Sequence, residues 1–261
     1  MAILERRDQD AVAHLHLNTP GSLNALSDEM IAALQDQFDG LMQDSSIRAV
    51  VLSGAGKAFC AGHDLKQMTA GRQAADGGKA YFKDLFDRCA HMMMTIQALP
   101  QPVIAQVHGI ATAAGCQLVA SCDMAIAAQG TRFGVNGVNI GLFCSTPMVA
   151  LSRNIPRKQA FEMLTTGQFI DATRAEALGL INRVVAPETL AEDTAQLAAT
   201  VAAKLGAAVK IGKQGFYQQL DMSTAQAYAH TGQVMVENML YRDTAEGIAA
   251  FLEKRDPDWQ Q

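Results

Sequence analysis

Two runs of small residues, each released from the end of a short apolar strand, constrain this chain more than any other feature. The first is Phe59-Cys60-Ala61-Gly62-His63-Asp64-Leu65-Lys66; the second is Val107-His108-Gly109-Ile110-Ala111-Thr112-Ala113-Ala114-Gly115-Cys116-Gln117. The strand read before the first covers 47–52 and the strand before the second covers 103–107. Apolar runs this short suit strands buried within a sheet. Small side chains after such strands let backbone N–H groups face a cleft. A helix starting at the end of the second run adds unpaired first-turn N–H groups and the positive end of its macrodipole. Such a terminus can stabilise an oxyanion. Small residues also permit close helix–strand packing, so either run alone is compatible with a structural role.

The rest of the chain alternates β and α patterns and then turns helical. Residues 11–17 place Ala13, Leu15 and Leu17 on one face and His14 and His16 on the other, a half-buried strand. Ser27 caps a helix with the stripe Met30, Leu34, Phe38, Leu41 and Met42. A polar, glycine-bearing stretch at 69–78 reads as a mobile segment. A helix follows with Tyr81, Leu85, Cys89, Met92 and Ile96 at helical spacing, and 124–128 reads as a third strand. Residues 109–115 read as a loop and 117–121 as a helix. Beyond about residue 145, helix starts are predicted at Thr146, Pro156, Thr173, Pro187, Ala207, Ser223 and Asp243, with one strand at 181–185. This order predicts an α/β core over 1–200 and a helical region over 201–261.

Composition narrows the function classes. Lys and Arg number 21 against 26 Asp and Glu, a net charge of −5, which lacks the basic excess of a nucleic-acid binder. Charged residues are only 18%, against about 25% in a typical soluble domain, so the chain is expected to hide surface in an oligomer. No apolar run reaches the length of a membrane span. Met1 to Asp10 is charged and without an apolar centre, so it does not read as a signal peptide. The five cysteines show no C-x-x-C spacing, and no H-E-x-x-H occurs; no metal site is expected, and the thiols read as buried groups of a reducing, cytoplasmic setting. Gly54-Ala55-Gly56-Lys57 fails the phosphate-loop spacing and reads as a turn. Within the two runs, His63 is either a catalytic base or a residue whose main chain alone matters. Cys60 reads as core, Asp64 and Asp123 as loop braces, and His91 as structural.

Taken together, F-C-A-G-H-D-L-K and the later H-G-x-A-x-A-A-G-C-Q-L-x-x-x-C-D resemble the crotonase, or enoyl-CoA hydratase/isomerase, family. The likeness continues through Leu23-Asn24-Ala25-Leu26-Ser27, Phe133-Gly134, Leu164-Thr165-Thr166-Gly167 and Gly247-Ile248-Ala249-Ala250-Phe251-Leu252-Glu253-Lys254-Arg255. It covers nearly the whole chain in order. The resemblance implies an α/β fold, a spiral of β-β-α units with a C-terminal helical trimerisation domain, assembled as trimers or hexamers. It implies an acyl-CoA thioester as ligand, with CoA part of the substrate and no separate cofactor, nucleic-acid partner or membrane. The enolate-stabilising amides would be those of His63 and Ala114. CoA contacts would come from Ser22, Leu23, Ala61, Asp64 and Leu65, and from Phe251 and Lys254 of a neighbouring subunit. The family often has a lysine just before L-N-A-L; Gly21 stands there.

The departure that bears on chemistry lies at two carboxylates. Well-studied hydratases of this family carry one glutamate in G-C-E-L, where this chain has Gln117, and another in F-G-x-P-E, where it has Gly137. Gln117 can donate or accept a hydrogen bond but cannot exchange a proton at neutral pH. The expectation is an acyl-CoA enzyme of the enoyl-CoA hydratase class with different acid/base groups and poor crotonyl-CoA hydration. The alternatives are an acyl-CoA-binding homologue without hydratase activity, or a reaction assisted by an anion such as bicarbonate. The last follows from a local similarity of the stretch around Asn136 to 1,4-dihydroxy-2-naphthoyl-CoA synthases.

Overall fold

The computed structural model describes residues 2–260. Among them, a six-stranded sheet has the spatial order β1 (Leu4–Gln9), β2 (Val12–Leu17), β3 (Ala49–Gly54), β4 (Val103–Val107), β6 (Met124–Ala128) and β9 (Arg183–Val185). β1 pairs antiparallel with β2, and every other neighbour pair is parallel. Side-chain alternation sorts these strands between two layers. Ala13, Leu15, Leu17, Val50, Leu52, Val103, Ala105 and Val107 join the main core, under helices α1 (Asp28–Gln43) and α3 (Lys79–Ala98). Val12, Ala49, Val51 and Ile104 face the other way, onto Ala198 of α8 (Leu190–Ala202).

β1 lies in the charged N-terminal stretch, where the sequence pattern gives no strand signal. Its sequence is Leu-Glu-Arg-Arg-Asp-Gln and its side chains are largely exposed, as suits an edge strand guarded by charge. The two-residue turn into β2, Asp10-Ala11, holds both residues at positive φ, 51° and 61°. Hairpin turns of this kind usually advertise themselves with Asn-Gly or Asp-Gly, and Asp-Ala does not.

Local rules set the helices. The Ser27 hydroxyl accepts the Met30 N–H at 3.2 Å at the start of α1, whose buried stripe is Met30, Ile31, Leu34, Phe38 and Leu41. Each such large side chain taken fully out of water contributes roughly 1.5–3 kcal/mol. The stretch 69–78 closes α2 (Leu65–Gly71) and opens α3, where the Asp76 carboxylate accepts the N–H groups of Gly78 and Ala80, both at 2.9 Å.

A second, three-stranded sheet runs β5 (Ile110–Thr112), β7 (Arg132–Gly134), β8 (Ile170–Asp171). The residues read as a loop at 109–115 therefore contain a strand, and α4 (Ala114–Ser121) begins three residues earlier than expected. Three-residue strands are too short for periodicity to register. The chain passes twice from the large sheet to the small one and then into a helix: β4, β5, α4, and β6, β7, α5 (Pro147–Asn154).

Helices α6 (Arg157–Thr166), α7 (Ala172–Leu178), α9 (Gly206–Gln219), α10 (Thr224–Met239) and α11 (Arg242–Glu253) complete the chain. α9 is tied to the core by a buried cation. Lys213 Nζ donates to the Ile96 and Gln101 carbonyls at 2.8 and 2.9 Å and to Asp123 Oδ2 at 2.7 Å. The same carboxylate accepts the Val103 N–H and the Tyr217 hydroxyl. Burial pushes the Lys213 ammonium down from its ordinary value, with Asp123 opposing that shift. Asp123 is thus a brace, as its sequence context suggests. Outer faces of α9 and α10 leave Phe216, Leu220, Tyr228, Met235, Val236 and Met239 exposed.

Candidate active site

The two small-residue runs meet. Cys60 and Ala111 form a parallel bridge, as do Leu26 and His63. The Cys60 N–H donates to the Ile110 carbonyl at 3.2 Å, and the Thr112 N–H returns to the Cys60 carbonyl at 3.1 Å. Gly62 sits at φ +88°, and a Cβ there would lie 3.0 Å from Ala113 Cβ and 3.1 Å from Ala114 N. The residues flanking His63 and Ala114 are thus in direct contact. Neither the His63 N–H nor the Ala114 N–H has an acceptor among the described residues, while the neighbouring Ala61 and Ala113 N–H groups donate to Leu23 and Gly134.

The Ala113-Ala114-Gly115 run divides its demands unevenly. Gly115 is required, because a Cβ there would come within 2.2 Å of the Cys60 carbonyl oxygen. Ala114 is the first helical residue of α4 and tolerates a side chain. Ala113, the N-cap, takes φ 50° and ψ −120°, a conformation that glycine adopts freely and alanine only under strain. Ala113 is therefore the one position of this run where a glycine would relieve the backbone.

The His63 ring is not placed as a base. Both ring nitrogens are buried without partners, the ring packs edge-on against Phe86 at 5.6 Å, and burial lowers its pKa below the usual histidine value. Its main chain, not its ring, faces the junction. His91 faces solvent on α3. All five cysteines are free and buried. Burial pushes the Cys60, Cys89 and Cys116 thiols up to about 12, which removes them as nucleophiles near neutral pH. Among the described residues no three metal-ligating side chains gather closely enough to hold an ion.

The two positions without glutamate differ. Gln117 lies one turn along α4 from Ala114, is 5% exposed, and neither end of its amide finds a partner among the described residues. It borders a cavity of about 300 Å³ between α3, α4 and α5, together with Met93 and Met94. Gly137 lies in a short 3₁₀ turn, Asn136–Ile140. Its φ is not in the left-handed region; the space beside it is occupied, because a Cβ would meet the Leu142 carbonyl oxygen at 2.3 Å and Cys144 Sγ at 2.9 Å. The neighbouring Asn136 side chain accepts the Thr112 hydroxyl at 2.6 Å, which ties this turn to the second small-residue run.

The remaining positions assigned to CoA contact are spread over the loops and the last helix. Ser22 is exposed and its hydroxyl donates to the Thr19 carbonyl. Leu23 is left-handed at φ 55°, and its carbonyl accepts the Ala61 N–H. Asp64 caps α2 through the Lys66 and Gln67 N–H groups, and Leu65 behind it is 53% exposed. Phe251 is 82% exposed, and Lys254 ends α11 in a left-handed cap. Within one chain, the structure brings His63, Ala114 and Gln117 together and leaves Phe251 and Lys254 on the outer surface of α11.

Sequence reasoning missed Asn24. It is fully buried, its amide donates to the Ala55 and Ala58 carbonyls, and its oxygen accepts the Thr19 N–H. This side chain holds the Pro20–Ser22 turn against the loop that leads into Phe59. An asparagine inside an otherwise apolar Leu-Asn-Ala-Leu run was the available signal.

Comparison with known proteins agrees with this architecture. The enoyl-CoA hydratase/isomerase family model matches residues 7–261. Enoyl-CoA hydratase domain-containing protein 3, mitochondrial, of Xenopus laevis is 44% identical over 253 residues, covering 97% of this chain and 84% of the relative. The crystal structure of an enoyl-CoA hydratase from Mycobacterium smegmatis superposes with a TM-score of 0.96 at 52% identity, covering 100% of both chains. That of human enoyl Coenzyme A hydratase domain-containing protein 3 gives 0.94 at 42% identity, covering 99% of this chain and 100% of the other. On this match and on the junction of its two loops, the chain belongs to the enoyl-CoA hydratase/isomerase family.

Proposed function

We propose that this protein binds an acyl-CoA thioester and holds its carbonyl oxygen between the backbone N–H groups of His63 and Ala114. The observation that carries this reading is the pair of donors without acceptors on two loops in contact, one at the N-terminus of α4. Charge that develops on the oxygen as an enolate forms would be stabilised there, and one such donor is worth about 2.7–4 kcal/mol. The catalytic class is lyase or isomerase chemistry on the carbons next to the thioester, with CoA part of the substrate and no separate cofactor. Ser22, Leu23, Ala61, Asp64 and Leu65 would line the approach of CoA. Phe251 and Lys254 of a neighbouring subunit would reach its adenosine and phosphates in a trimer or hexamer built on 201–261. Sedimentation at micromolar concentration then reports three or six times 27.9 kDa, and a clean monomer removes the shared CoA site. The five unpaired thiols support a reducing compartment, which we read as the cytoplasm; the vertebrate relatives are named mitochondrial, and cell fractionation decides.

The test is exchange of α-protons in heavy water across a panel of acyl-CoA thioesters. Exchange above the buffer rate requires both an enolate site and a base. Binding without exchange leaves the second reading, an acyl-CoA-binding homologue without hydratase activity, which the filled space at Gly137 and the amide at Gln117 favour. The anion-assisted reading gains no support here, since the atoms closest to the side-chain space of Gly137 belong to no basic side chain: that space is occupied by the Leu142 carbonyl and the Cys144 sulfur.

A further inference from the structure

Ala113 holds a conformation that its own residue type resists, so its surroundings must impose it. Its ψ of −120° sets the plane of the next peptide, which carries the Ala114 N–H. Three hydrogen bonds hold the backbone there. The Thr112 N–H donates to the Cys60 carbonyl at 3.1 Å, and the Ala113 N–H donates to the Gly134 carbonyl at 2.9 Å. The Thr112 hydroxyl donates to Asn136 Oδ1 at 2.6 Å. The last two partners come from one short stretch, the end of β7 and the first residue of the Asn136–Ile140 turn. Of the three bonds, only the Thr112–Asn136 bond runs between side chains, and it is the shortest. Residues 112–114 also pack on Gly62, where a Cβ would stand only 3.0 Å from the Thr112 carbonyl oxygen and from Ala113 Cβ. Gly62 precedes His63, so a shift of residues 112–113 changes the gap between the two unpaired N–H donors. In the pattern F-G-x-P-E the residue at the place of Asn136 is a proline, which offers no side-chain hydrogen bond; this tie belongs to the chain in hand.

We infer that Asn136 is a positioning residue: through its hydrogen bond to the Thr112 hydroxyl it holds the strained Ala113 backbone so that the Ala114 N–H points at the thioester oxygen. The inference rests on the proposed thioester site, and neither side chain need touch the ligand. Ala113 N–H and Thr112 N–H fix where the strand ends. The side-chain bond adds a tether from the far side of Thr112, one residue before the strained position. Without it the loop is held by backbone bonds alone and is free to relax toward the conformations alanine prefers, turning the Ala114 peptide as it does so.

The experiment is carbon-13 NMR of the full-length protein saturated with butyryl-CoA labelled at the thioester carbonyl. Hydrogen bonds to a carbonyl oxygen draw electron density from its carbon and move the resonance downfield, so the displacement on binding reads the donors directly and needs no turnover. Thr112→Val, nearly isosteric and without a hydroxyl, and Asn136→Ala break the bond from its two ends. Each is expected to lose most of the wild-type displacement. The double variant should lose no more than either single, because one bond serves both residues. Thr112→Ser keeps the hydroxyl and should restore the displacement. A brace for the turn alone would lower the melting temperature of the variants and leave the bound carbonyl where the wild type has it; that result overturns the inference. So does a double variant that loses the sum of the two singles, or a Thr112→Ser that behaves as Thr112→Val. If Asn136→Ala does not fold, the two Thr112 variants decide between them. A wild type that fails to bind butyryl-CoA, or binds it with no displacement, removes the oxyanion site itself, a different outcome from a displacement indifferent to Thr112 and Asn136.

Discussion

Gln117 and Gly137 stand at equivalent points of one pattern, yet the protein treats them in opposite ways. At Gln117 the side chain has a glutamate's length and shape, lies beside a cavity and is unpaired. At Gly137 the side-chain space is filled by the Leu142 carbonyl and the Cys144 sulfur. A carboxylate of the same shape would fit at Gln117, and no side chain fits at Gly137 without displacing its neighbours. The family resemblance reads both as positions without a carboxylate; packing leaves space for one at Gln117 and none beside Gly137.

The largest expected effect follows from losing both groups at once. General acid/base groups each contribute roughly 10²–10⁴ in rate, so crotonyl-CoA hydration should fall at least a hundredfold below the ~10 s⁻¹ typical of enzymes. Steady-state rates measure this, and a turnover near that typical value would show that another group does the proton work.

The comparison itself is broken or sharpened by putting glutamate at each position. Gly137→Glu must displace a backbone carbonyl, and overpacking of this severity is expected to destabilise the fold by about 3 kcal/mol or more. Gln117→Glu changes shape little, although its buried carboxyl should titrate well above the usual range. Thermal melts of the two variants should therefore differ widely at pH 7. If Gly137→Glu melts with the wild type, the Leu142–Cys144 segment yields easily and the position is not sealed.

A smaller effect distinguishes strain from function in the second loop. Ala113→Gly relieves the φ of 50° and should stabilise the protein by about 1 kcal/mol, with glycine's greater unfolded-state entropy working against the gain. Chemical denaturation gives the sign, and destabilisation would mean the alanine methyl packs better than its backbone suffers.

The smallest concerns the His63 ring in the first loop. Its folded pKa is depressed, chiefly by burial. Protonation therefore favours the unfolded chain, and stability present above the unfolded value near 6.5 is lost as pH falls below it. His63→Phe, which keeps the backbone N–H and the contact with Phe86, should lose less stability than wild type between about pH 7.5 and 5.5. Parallel melting curves for the two proteins would show that the ring titrates freely in the fold.

Much of this was legible along the chain because it is local. Apolar strands at 103–107 and 124–128 and the Ser27 cap follow from spacing and cap chemistry, and the helix starts after residue 145 fall within three residues of those observed. The family resemblance carried by the paired small-residue runs is what named His63 and Ala114 as candidates. The edge strand β1 escaped because charge on an edge looks like a polar terminus, and β5 escaped because three residues carry no period. What only the tertiary structure decided are relations between segments distant in sequence. These include the buried Asn24 staple, the Lys213–Asp123 anchor, the strain at Ala113 and the carbonyl that fills the space beside Gly137. A residue's type declares what its side chain can donate, accept or titrate; whether there is room and a partner for it is set by atoms that other parts of the chain bring to within a few ångströms.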